Sequence, residues 1–455
     1  MDALFKVVDD NLDRILEELK TFLRLESISA DPARKQATAD TAGWLAEHLK
    51  HIGMAHVEVF PTEGHPLVFA HHPGPADAPT VLIYGHYDVQ PVDPLELWTT
   101  PPFEPTIRDG KIYARGTTDD KGQLFAHVKA LETLLREKGE LPVSVKLIFE
   151  GEEEIGSGAL GKWLPDHKDL LTCDLVVVSD SSMIAKGQPS IQYGLRGLVY
   201  FQVEVEGPSG DLHSGSFGGA VANPINVLAD ILASMKDENN KVTLPGFYDD
   251  VLPLTDEELA NYDKLPYDEA EFLQATGAEA TFGEAGFTSL QRMSARPTLD
   301  ANGIWGGFQG EGAKTVLPAK AGLKVSMRLV PNQDPHKIAD AFRAHIAKVA
   351  PPAARVKVIE FHGGLPFICP LDEPALQKAA AALKTVYGKD CLFSREGGSI
   401  PIVADINAAL HQPVVLMGFG LNSENAHAPN EHFDLENFVG AIKTSLTYLH
   451  LLAEK

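Results

Sequence analysis

Four runs of aliphatic and β-branched residues are the most regular hydrophobic feature of the chain. They cover residues 80–88, 145–154, 175–180 and 414–420, and the last run leads to His427. Runs of this kind predict buried strands of an α/β sheet. Because ligands of such sheets collect outside the carboxyl ends of the strands, we expect the histidine and acidic side chains that follow these runs to form one site.

Helical periodicity surrounds these strands. About the first 25 residues predict one amphipathic helix, because their large apolar residues recur at helical spacing. Residues 121–138 predict a helix behind the sheet that ends at Gly139 as its C-cap, and residues 374–387 predict another helix. Strands and helices alternate up to about residue 182. This alternation is typical of an α/β domain.

From residue 190 the pattern changes to the strict alternation of half-buried strands, clearest at 198–206. Alternation predicts a sheet with one solvated face and therefore a separate domain. Its further elements are a helix near 224–236, a helical insertion at 237–300, and strands at 322–330 and 355–361. Thr255 and Glu258 have the spacing of a capping box within that insertion.

The chain of 455 residues is too long for one compact core, so we expect at least two domains. The strand before His427 is expected to join the sheet of the first region. The second domain is therefore expected to interrupt the first, with residues 1–189 and 363–455 in one domain and residues 190–362 in the other.

Charge and composition exclude several classes of partner. The formal charge of −24, from 63 acidic and 39 basic residues, argues against a nucleic-acid partner. No stretch approaches the ~18 apolar residues of a membrane span, and the N-terminal residues lack the pattern of a secretion signal, so we expect a cytoplasmic protein. The three cysteines, Cys173, Cys369 and Cys391, lack zinc-finger spacing and are expected to be reduced and structural.

The acidic segments are ambiguous when each is considered alone. His86 beside Asp88 is the pattern of a common structural pair, and Asp119 and Asp120 precede a helix, where acids are frequent. The run 150–154 alone indicates a solvated loop. At the ends of buried strands, however, crowded carboxylates need a cation. Asp88 can then hold one nitrogen of the imidazole of His86 while the other nitrogen binds a metal ion.

Histidines and carboxylates together suit zinc, with manganese or cobalt as alternatives. Two such ions roughly 3.5–4 Å apart would activate a water and polarise a carbonyl group. A neighbouring carboxylate that binds neither ion would act as general base. Glu153 and Glu154 can share the roles of base and ligand, but their spacing does not say which residue has which role.

The ordered series of motifs resembles the M20 family of metallopeptidases, and within it the carnosinase-like, or cytosolic nonspecific, dipeptidase branch. The segments that carry the resemblance are Gly-His86-Tyr-Asp88, Arg-Gly-Thr-Thr-Asp119-Asp120-Lys-Gly, Glu-Gly-Glu-Glu153-Glu154, Ser-Asp180, Tyr193-Gly-Leu-Arg-Gly, Asp211-Leu-His213, Lys314-Thr315-Val, Arg328-Leu-Val-Pro, Arg395-Glu-Gly-Gly-Ser399 and His427-Ala-Pro-Asn-Glu. These segments span almost the whole chain.

The resemblance implies a role for each candidate ligand. His86 and Asp180 would hold one metal ion, Glu154 and His427 the other, and Asp119 would bridge the two. A cis peptide bond is expected between Asp119 and the residue after it. By the same resemblance, two further residues have catalytic roles, with Glu153 as the general base and Asp88 as the orienting residue.

The resemblance also implies residues that contact the substrate. His213 would stabilise the oxyanion, in its own or a partner subunit's site. Arg328 suits a bidentate grip on a substrate carboxylate, and Thr315 belongs to a matching segment. The turn at Gly398 and Ser399 independently indicates a helix N-terminus, with Ser399 as N-cap and Pro401 in the first turn, where free amides bind anions.

The predicted architecture is therefore an α/β, zinc-peptidase-like catalytic domain with a mixed sheet flanked by helices. An inserted α+β lid and dimerisation domain interrupts it, so we expect a homodimer. The predicted reaction is hydrolysis of dipeptides or closely related small peptides. The alternatives are an N-acyl-amino-acid deacylase, a desuccinylase or a carboxypeptidase of the same family, and, in another class, a non-catalytic metal- or peptide-binding protein. Glu153 argues against the last alternative, because a binding protein needs no general base.

Overall fold

The structure is a computed structural model that describes residues 1–454, with His362 described by its backbone only. The α-helices, numbered in chain order, are α1 (Asp2–Asp10), α2 (Leu12–Leu23), α3 (Lys35–His51), α4 (Lys121–Lys138), α5 (Gly158–Trp163), α6 (Ser214–Phe217), α7 (Pro224–Ala233), α8 (Asp256–Tyr262), α9 (Glu269–Thr276), α10 (Ser289–Ser294), α11 (Pro335–Val349), α12 (Pro374–Tyr387), α13 (Pro401–Leu410) and α14 (Leu435–Ala453).

The strands are numbered in the same way. They are β1 (His56–Phe60), β2 (Leu67–His72), β3 (Thr80–His86), β4 (Thr106–Arg108), β5 (Lys111–Tyr113), β6 (Ser144–Glu150), β7 (Leu175–Val178), β8 (Ser182–Met183), β9 (Ser190–Leu195), β10 (Gly197–Glu206), β11 (Leu212–His213), β12 (Thr298–Gly306), β13 (Val316–Leu317), β14 (Lys320–Leu329), β15 (Arg355–Gly364), β16 (Phe367–Ile368), β17 (Leu392–Glu396), β18 (Val414–Leu416), β19 (Gly420–Leu421) and β20 (His432–Asp434).

The chain divides into two compact units. Unit 1 contains Met1–Tyr193, Cys369–Ser394 and the chain from Pro401 onward, and unit 2 contains Gly194–Ile368 and Arg395–Ile400. Unit 2 is therefore inserted in the sequence of unit 1. The short segment Arg395–Ile400 belongs to unit 2, although the sequence pattern had assigned it to the first domain.

Unit 1 is built on a mixed sheet with the strand order β1, β2, β6, β3, β7, β18, β9. The neighbours β6, β3, β7 and β18 run parallel to one another, whereas β1, β2 and β9 are antiparallel to their neighbours. The four parallel strands are those predicted from the hydrophobic runs. This confirms the predicted α/β fold with a mixed central sheet, and it aligns the carboxyl ends of these strands along one edge.

Helices pack against this sheet and against one another. Helix α4 packs on β3 and α14, α3 packs on β1 and β2, and α12 packs on β18 and α14. The predicted bounds of α4 and α12 are confirmed, and α4 ends at Gly139 with a left-handed φ of 72°. A glycine adopts this conformation without steric cost, so it ends the helix.

The prediction of one N-terminal helix is wrong. Two helices, α1 and α2, meet at Asn11, whose backbone leaves the helical region (φ −107°, ψ 8°). The side-chain amide of Asn11 donates a hydrogen bond of 2.8 Å to the carbonyl oxygen of Val7. Asparagine competes in this way for backbone groups and so interrupts a helix that the apolar spacing alone would continue.

Unit 2 contains an antiparallel sheet in the order β12, β14, β10, β15. Burial alternates strictly along β10, as the sequence pattern predicted, and helices α7 and α11 pack against this sheet. The insertion before β12 folds into the short helices α8, α9 and α10. The predicted capping box of Thr255 and Glu258 is present at the start of α8. Unit 2 is therefore an α+β unit with its own hydrophobic core.

Within residues 1–454, no helix combines the length and the apolar character that a membrane span requires.

A buried lysine joins three helices of unit 1. The Nζ atom of Lys129 on α4 donates to Glu132 (2.7 Å), to Nε2 of His48 on α3 (2.8 Å) and to the carboxylate of Glu18 on α2. Burial and, as a second cause, the charge of Lys129 lower the pKa of His48 to about 4. The ring is therefore neutral and accepts this hydrogen bond. The ammonium group therefore neutralises carboxylates that would otherwise repel one another.

We expect Lys129→Met to destabilise the protein by about 1–3 kcal/mol, because it removes a buried cation and its hydrogen bonds, while Arg14 and Arg136 remain as cationic partners of these carboxylates. Urea unfolding followed by far-UV circular dichroism measures this change. The matched control is Lys6→Met, which removes an exposed pair with Asp10 and should produce no measurable shift. Equal effects of the two substitutions would contradict the prediction.

Candidate metal centre

The parallel strands of unit 1 bring the predicted site residues to one edge of the sheet. His86 is the last residue of β3, and β6 ends at Glu150, directly before the turn that holds Glu153 and Glu154. Asp180 follows β7. Because these strands are adjacent and parallel, three segments far apart in sequence end next to one another.

Asp119 lies between two groups of potential ligands. Its Oδ1 is 3.0 Å from Nε2 of His86, and its Oδ2 is 2.8 Å from Nε2 of His427. An oxygen of Asp180 lies 3.7 Å from the same nitrogen of His86, and an oxygen of Glu154 lies 3.2 Å from Nε2 of His427. We call these five residues the ligand cluster. It consists of two trios that share Asp119.

The donor set of the ligand cluster fits divalent cations. In each trio, the nitrogen and oxygen atoms all lie within 4.8 Å of one another. A histidine and carboxylates on each side suit zinc and related ions, and a shared carboxylate is typical of paired metal ions. The cluster can therefore hold two ions with Asp119 between them.

Asp88 connects His86 to the turn on the neighbouring strand. Nδ1 of His86 lies 3.1 Å from the carbonyl oxygen of Asp88 and 3.3 Å from its carboxylate. The same carboxylate accepts hydrogen bonds from the backbone N–H groups of Glu153 and Glu154, each at 3.2 Å. Asp88 is fully buried. It therefore fixes both the imidazole and the two glutamates, and it leaves Nε2 of His86 facing Asp119.

Burial and neighbouring charges raise the pKa of three members of the site, whereas the two histidines lower the pKa of Asp119. Burial, reinforced by Asp180, raises the pKa of Glu153 to about 9. Hydrogen bonds to Asp119 and Glu154 raise the pKa of His427 to about 10. Burial lowers the pKa of His86, but the nearby carboxylates outweigh it and hold this pKa well above the usual value. The site therefore attracts positive charge, which a centre for divalent cations requires.

The loop that carries Asp119 is held by Glu431, which the sequence analysis did not single out. One carboxylate oxygen of Glu431 accepts from the backbone N–H groups of Thr118 (3.0 Å) and Asp119 (3.3 Å). The other accepts from the N–H of Gly116 (2.9 Å) and the guanidinium of Arg115 (2.7 Å). Glu431 is fully buried. Four charge-assisted hydrogen bonds thus fix the position of the shared carboxylate.

Two other supports were also missed. The amide of Gln90 donates to Glu154 at 2.7 Å, and Glu424 accepts from the hydroxyl of Thr118 at 2.6 Å. For Glu431, the sequence offered one signal of a role in the site, which is its position in the segment that begins at His427. One sequence gives no means of distinguishing such a buried acid from a solvated one.

The expected cis peptide bond is present between Asp119 and Asp120. Asp120 is buried, and one of its carboxylate oxygens accepts the backbone N–H of His86 at 3.2 Å. His427 has a left-handed backbone conformation, with φ of 60°. Such a conformation costs roughly 1–2 kcal/mol for a residue other than glycine. It is consistent with a loop shaped to direct His427 toward two carboxylates.

Two of the predicted substrate residues lie side by side in unit 2. Strand β11 pairs with β13, and the backbone N–H of Ser214, next to His213, donates to the carbonyl oxygen of Thr315. Nδ1 of His213 accepts the N–H of Gly215 at 3.0 Å. The remaining nitrogen of a neutral ring, Nε2, then carries the hydrogen, and His213 is exposed. The ring can therefore donate a hydrogen bond to an anionic oxygen.

Arg328 and Ser399 also meet within unit 2. Nη1 of Arg328 donates to Oγ of Ser399 at 2.8 Å, and the Ser399 hydroxyl donates to the carbonyl oxygen of Arg196. The prediction of Ser399 as a helix N-cap is wrong, because α13 begins at Pro401. The hydroxyl is engaged in this contact within unit 2, whereas Pro401 occupies the first turn as predicted. The carbonyl of Gly398 accepts the backbone N–H of Arg196 at 3.0 Å. The prediction of free amides at this turn is wrong, because the N–H of Gly398 donates to the carboxylate of Glu396 at 3.1 Å.

Comparisons with known proteins give consistent results over almost the whole chain. Residues 82–451 match the family described as Peptidase family M20/M25/M40. The Cys-Gly metallodipeptidase dug1 of Schizosaccharomyces pombe is 34% identical over 469 residues, which cover 100% of this chain and 98% of that protein. The human Beta-Ala-His dipeptidase is 32% identical over 471 residues, which cover 100% of this chain and 93% of that protein.

Solved structures agree with the sequence comparisons. The M20 family metallo-carboxypeptidase Sso-CP2 from Sulfolobus solfataricus has a TM-score of 0.84 and 34% identity to this chain. The match covers 96% of this chain and 99% of that one.

We expect Glu431→Gln to weaken metal binding by roughly 10–100-fold, because it removes acceptors from the Asp119 loop without touching a ligand. Titration with a metal buffer, followed by measurement of bound metal, tests this. Glu436→Gln is the matched control, since Glu436 is an exposed acid at the start of α14. A folded Glu431→Gln protein with unchanged metal affinity would show that the loop does not need this carboxylate.

Proposed function

We propose that this chain is a dipeptidase that uses two divalent metal ions. The premise is that the chain belongs to peptidase family M20/M25/M40 and is an enzyme that hydrolyses peptide bonds. The observation that carries the proposal is the shared position of Asp119 between two trios of ligand atoms. The dipeptide substrate is supported by full-length relatives whose names describe them as dipeptidases.

We assign His86 and Asp180 to one ion, Glu154 and His427 to the other, and Asp119 to both. The distances within the ligand cluster support this division. Zinc is our proposal for both ions, with manganese and cobalt as alternatives, because imidazole and carboxylate ligands suit all three. When bound, the ion pair would polarise the scissile carbonyl and lower the pKa of a water toward ~7.

Glu153 is the proposed general base and acid. It is not part of either trio, yet it adjoins the ligand Glu154, and Asp88 fixes the backbone of both residues. Glu153 would accept a proton from the attacking water and return it to the leaving amine.

Residues of unit 2 are proposed to hold the substrate. Arg328 would bind its terminal carboxylate, because a guanidinium group matches a carboxylate in geometry and charge, and the hydroxyl of Ser399 would position that guanidinium group. Thr315 would contact the same substrate. The exposed Nε2 of His213 would donate to the oxyanion that forms when water adds to the carbonyl.

A second candidate function is carboxypeptidase activity. The likeness to Sso-CP2, at 34% identity and with a TM-score of 0.84, favours it specifically. A carboxypeptidase and a dipeptidase share metal chemistry and recognition of a terminal carboxylate. They differ in the length of peptide that they accept.

We also propose that the enzyme is a cytoplasmic homodimer formed through unit 2. Strand β12 lies at an edge of its sheet, and the exposed residues Ile304 and Trp305 on this strand support a contact with a second copy. Exposed edge strands with large apolar side chains readily pair with another chain. The cytoplasmic location stays a prediction from the sequence.

We expect Glu153→Gln to lower kcat by at least ~10²-fold while bound metal persists, as is typical for loss of a general base. Steady-state kinetics and metal analysis of the same sample measure both quantities. The adjacent substitution Glu154→Gln is the comparison, and we expect it to reduce bound metal as well. Unchanged turnover in Glu153→Gln would refute its role.

Substrate class is tested with protein stripped by a chelator and then restored with zinc, manganese or cobalt. We expect restored hydrolysis of dipeptides, with lower kcat/KM for tripeptides and for N-acetyl or N-succinyl amino acids. Preference for longer peptides would favour the carboxypeptidase, and preference for acylated amino acids would overturn the dipeptidase proposal. Activity that survives complete removal of metal would contradict metal dependence.

A further inference from the structure

Unit 2 contains a cavity of about 450 Å³ whose wall is rich in positive charge. This volume is in the range of binding sites for small molecules. Its cationic lining residues are Arg196, Lys236, Arg292, Arg296 and Arg328. A concentration of this kind is unexpected in a chain with a formal charge of −24.

Two of these cations are neutralised within the cavity. The guanidinium of Arg296 forms two hydrogen bonds with the carboxylate of Glu284, at 2.9 and 2.7 Å. Lys236 lies 3.7 Å from the carboxylate of Asp300. Glu284 and Asp300 are the only acidic residues of the lining. Five cations against two carboxylates leave an excess of three positive charges.

Arg196, Arg292 and Arg328, which we call the arginine pocket, carry this excess. Nε of Arg196 donates to the carbonyl oxygen of Gly397 at 2.7 Å, and Nε of Arg292 donates to the carbonyl oxygen of Glu284 at 2.8 Å. Nη1 of Arg328 donates to the hydroxyl of Ser399. Within residues 1–454, none of the three arginines forms an ion pair with a carboxylate. Neutral acceptors therefore orient these guanidinium groups without cancelling their charge.

The three arginines are half-buried, so the excess charge is only partly screened by water. Burial and, as a second cause, the charge of Arg328 lower the pKa of Arg196 to about 10. The carboxylates of Glu396 and Asp300 partly offset this lowering. Like charges held together in a cavity favour binding of an anion between them. Guanidinium groups bind carboxylates through paired N–H donors, and more than one arginine accommodates more than one carboxylate.

We propose that the arginine pocket selects dipeptides with an acidic C-terminal residue. Arg328 would hold the terminal carboxylate, as in the proposed function on which this inference rests, and Arg292 together with Arg196 would hold the side-chain carboxylate of aspartate or glutamate. A neutral isostere such as glutamine would leave part of the charge unpaired.

Paired dipeptides test this selectivity. We expect kcat/KM for Ala-Glu to exceed that for Ala-Gln by at least ~10-fold, the effect expected of one charged hydrogen-bonding contact. The kcat/KM values for Glu-Ala and Gln-Ala should show no such difference, because the side chain that differs between these two peptides lies at their N-terminal residue. Equal kcat/KM for Ala-Glu and Ala-Gln would overturn the inference and leave the dipeptidase function standing.

Substitution identifies the residue responsible. We expect Arg292→Gln to reduce the ratio of kcat/KM for Ala-Glu over Ala-Gln to near unity. Arg343→Gln is the matched control, because Arg343 lies on α11 of the same unit, outside the cavity, and pairs with Asp340 and Glu360. It should keep the ratio of the unmodified enzyme. Equal ratios in the two variants would exclude Arg292.

Direct binding separates failure of this inference from failure of the proposed function. Isothermal titration of the metal-loaded protein with glutamate and with glutamine requires no turnover. We expect glutamate to bind at least ~10-fold more tightly, and Arg292→Gln to abolish the difference. This result without dipeptide hydrolysis would keep the pocket and reject the dipeptidase. Equal affinity for both amino acids would reject the pocket.

Discussion

Repulsion between neighbouring carboxylates is the constraint that shapes unit 1. Asp119, Glu153, Glu154 and Asp180 gather at one edge of the sheet, where burial weakens the screening of charge by water. The chain holds them with directed hydrogen bonds from buried supports. Glu431 fixes the loop before Asp119, and Asp88 fixes the turn of the two glutamates. Mobile carboxylate side chains would move apart. Because these carboxylates are held in place, their mutual repulsion is relieved by binding cations.

The two units handle charge in opposite ways. In unit 1, acidic side chains surround a position suited to cations, and the ammonium of Lys129 neutralises a separate acidic group among the helices. In unit 2, arginines line a cavity and keep an excess of positive charge. The two units therefore differ in the sign of the charge that each concentrates.

Much of unit 1 could be predicted because its determinants are local. Buried parallel strands require continuous apolar runs, so β3, β6, β7 and β18 were visible in the sequence. The ligands follow the ends of these runs, and α4 ends at a glycine that the sequence also shows. Predictions failed where a single side chain had two possible partners. Asn11 bonds to the backbone and divides a helix, and Ser399 bonds to Arg328 and the backbone of Arg196 instead of capping one.

The sequence by itself determined the α/β pattern, the candidate ligands and, through resemblance, the family. Only the tertiary structure decided that Asp119 contacts two histidines that are 341 positions apart in the chain, and that Glu431 supports it. It also decided that three arginines share a cavity and, among the residues that the structure describes, form no ion pair with a carboxylate. The physical reason is that hydrophobic periodicity is a property of residues that are close together in the sequence. Hydrogen-bond partners and uncompensated charge depend instead on which distant segments fold against one another.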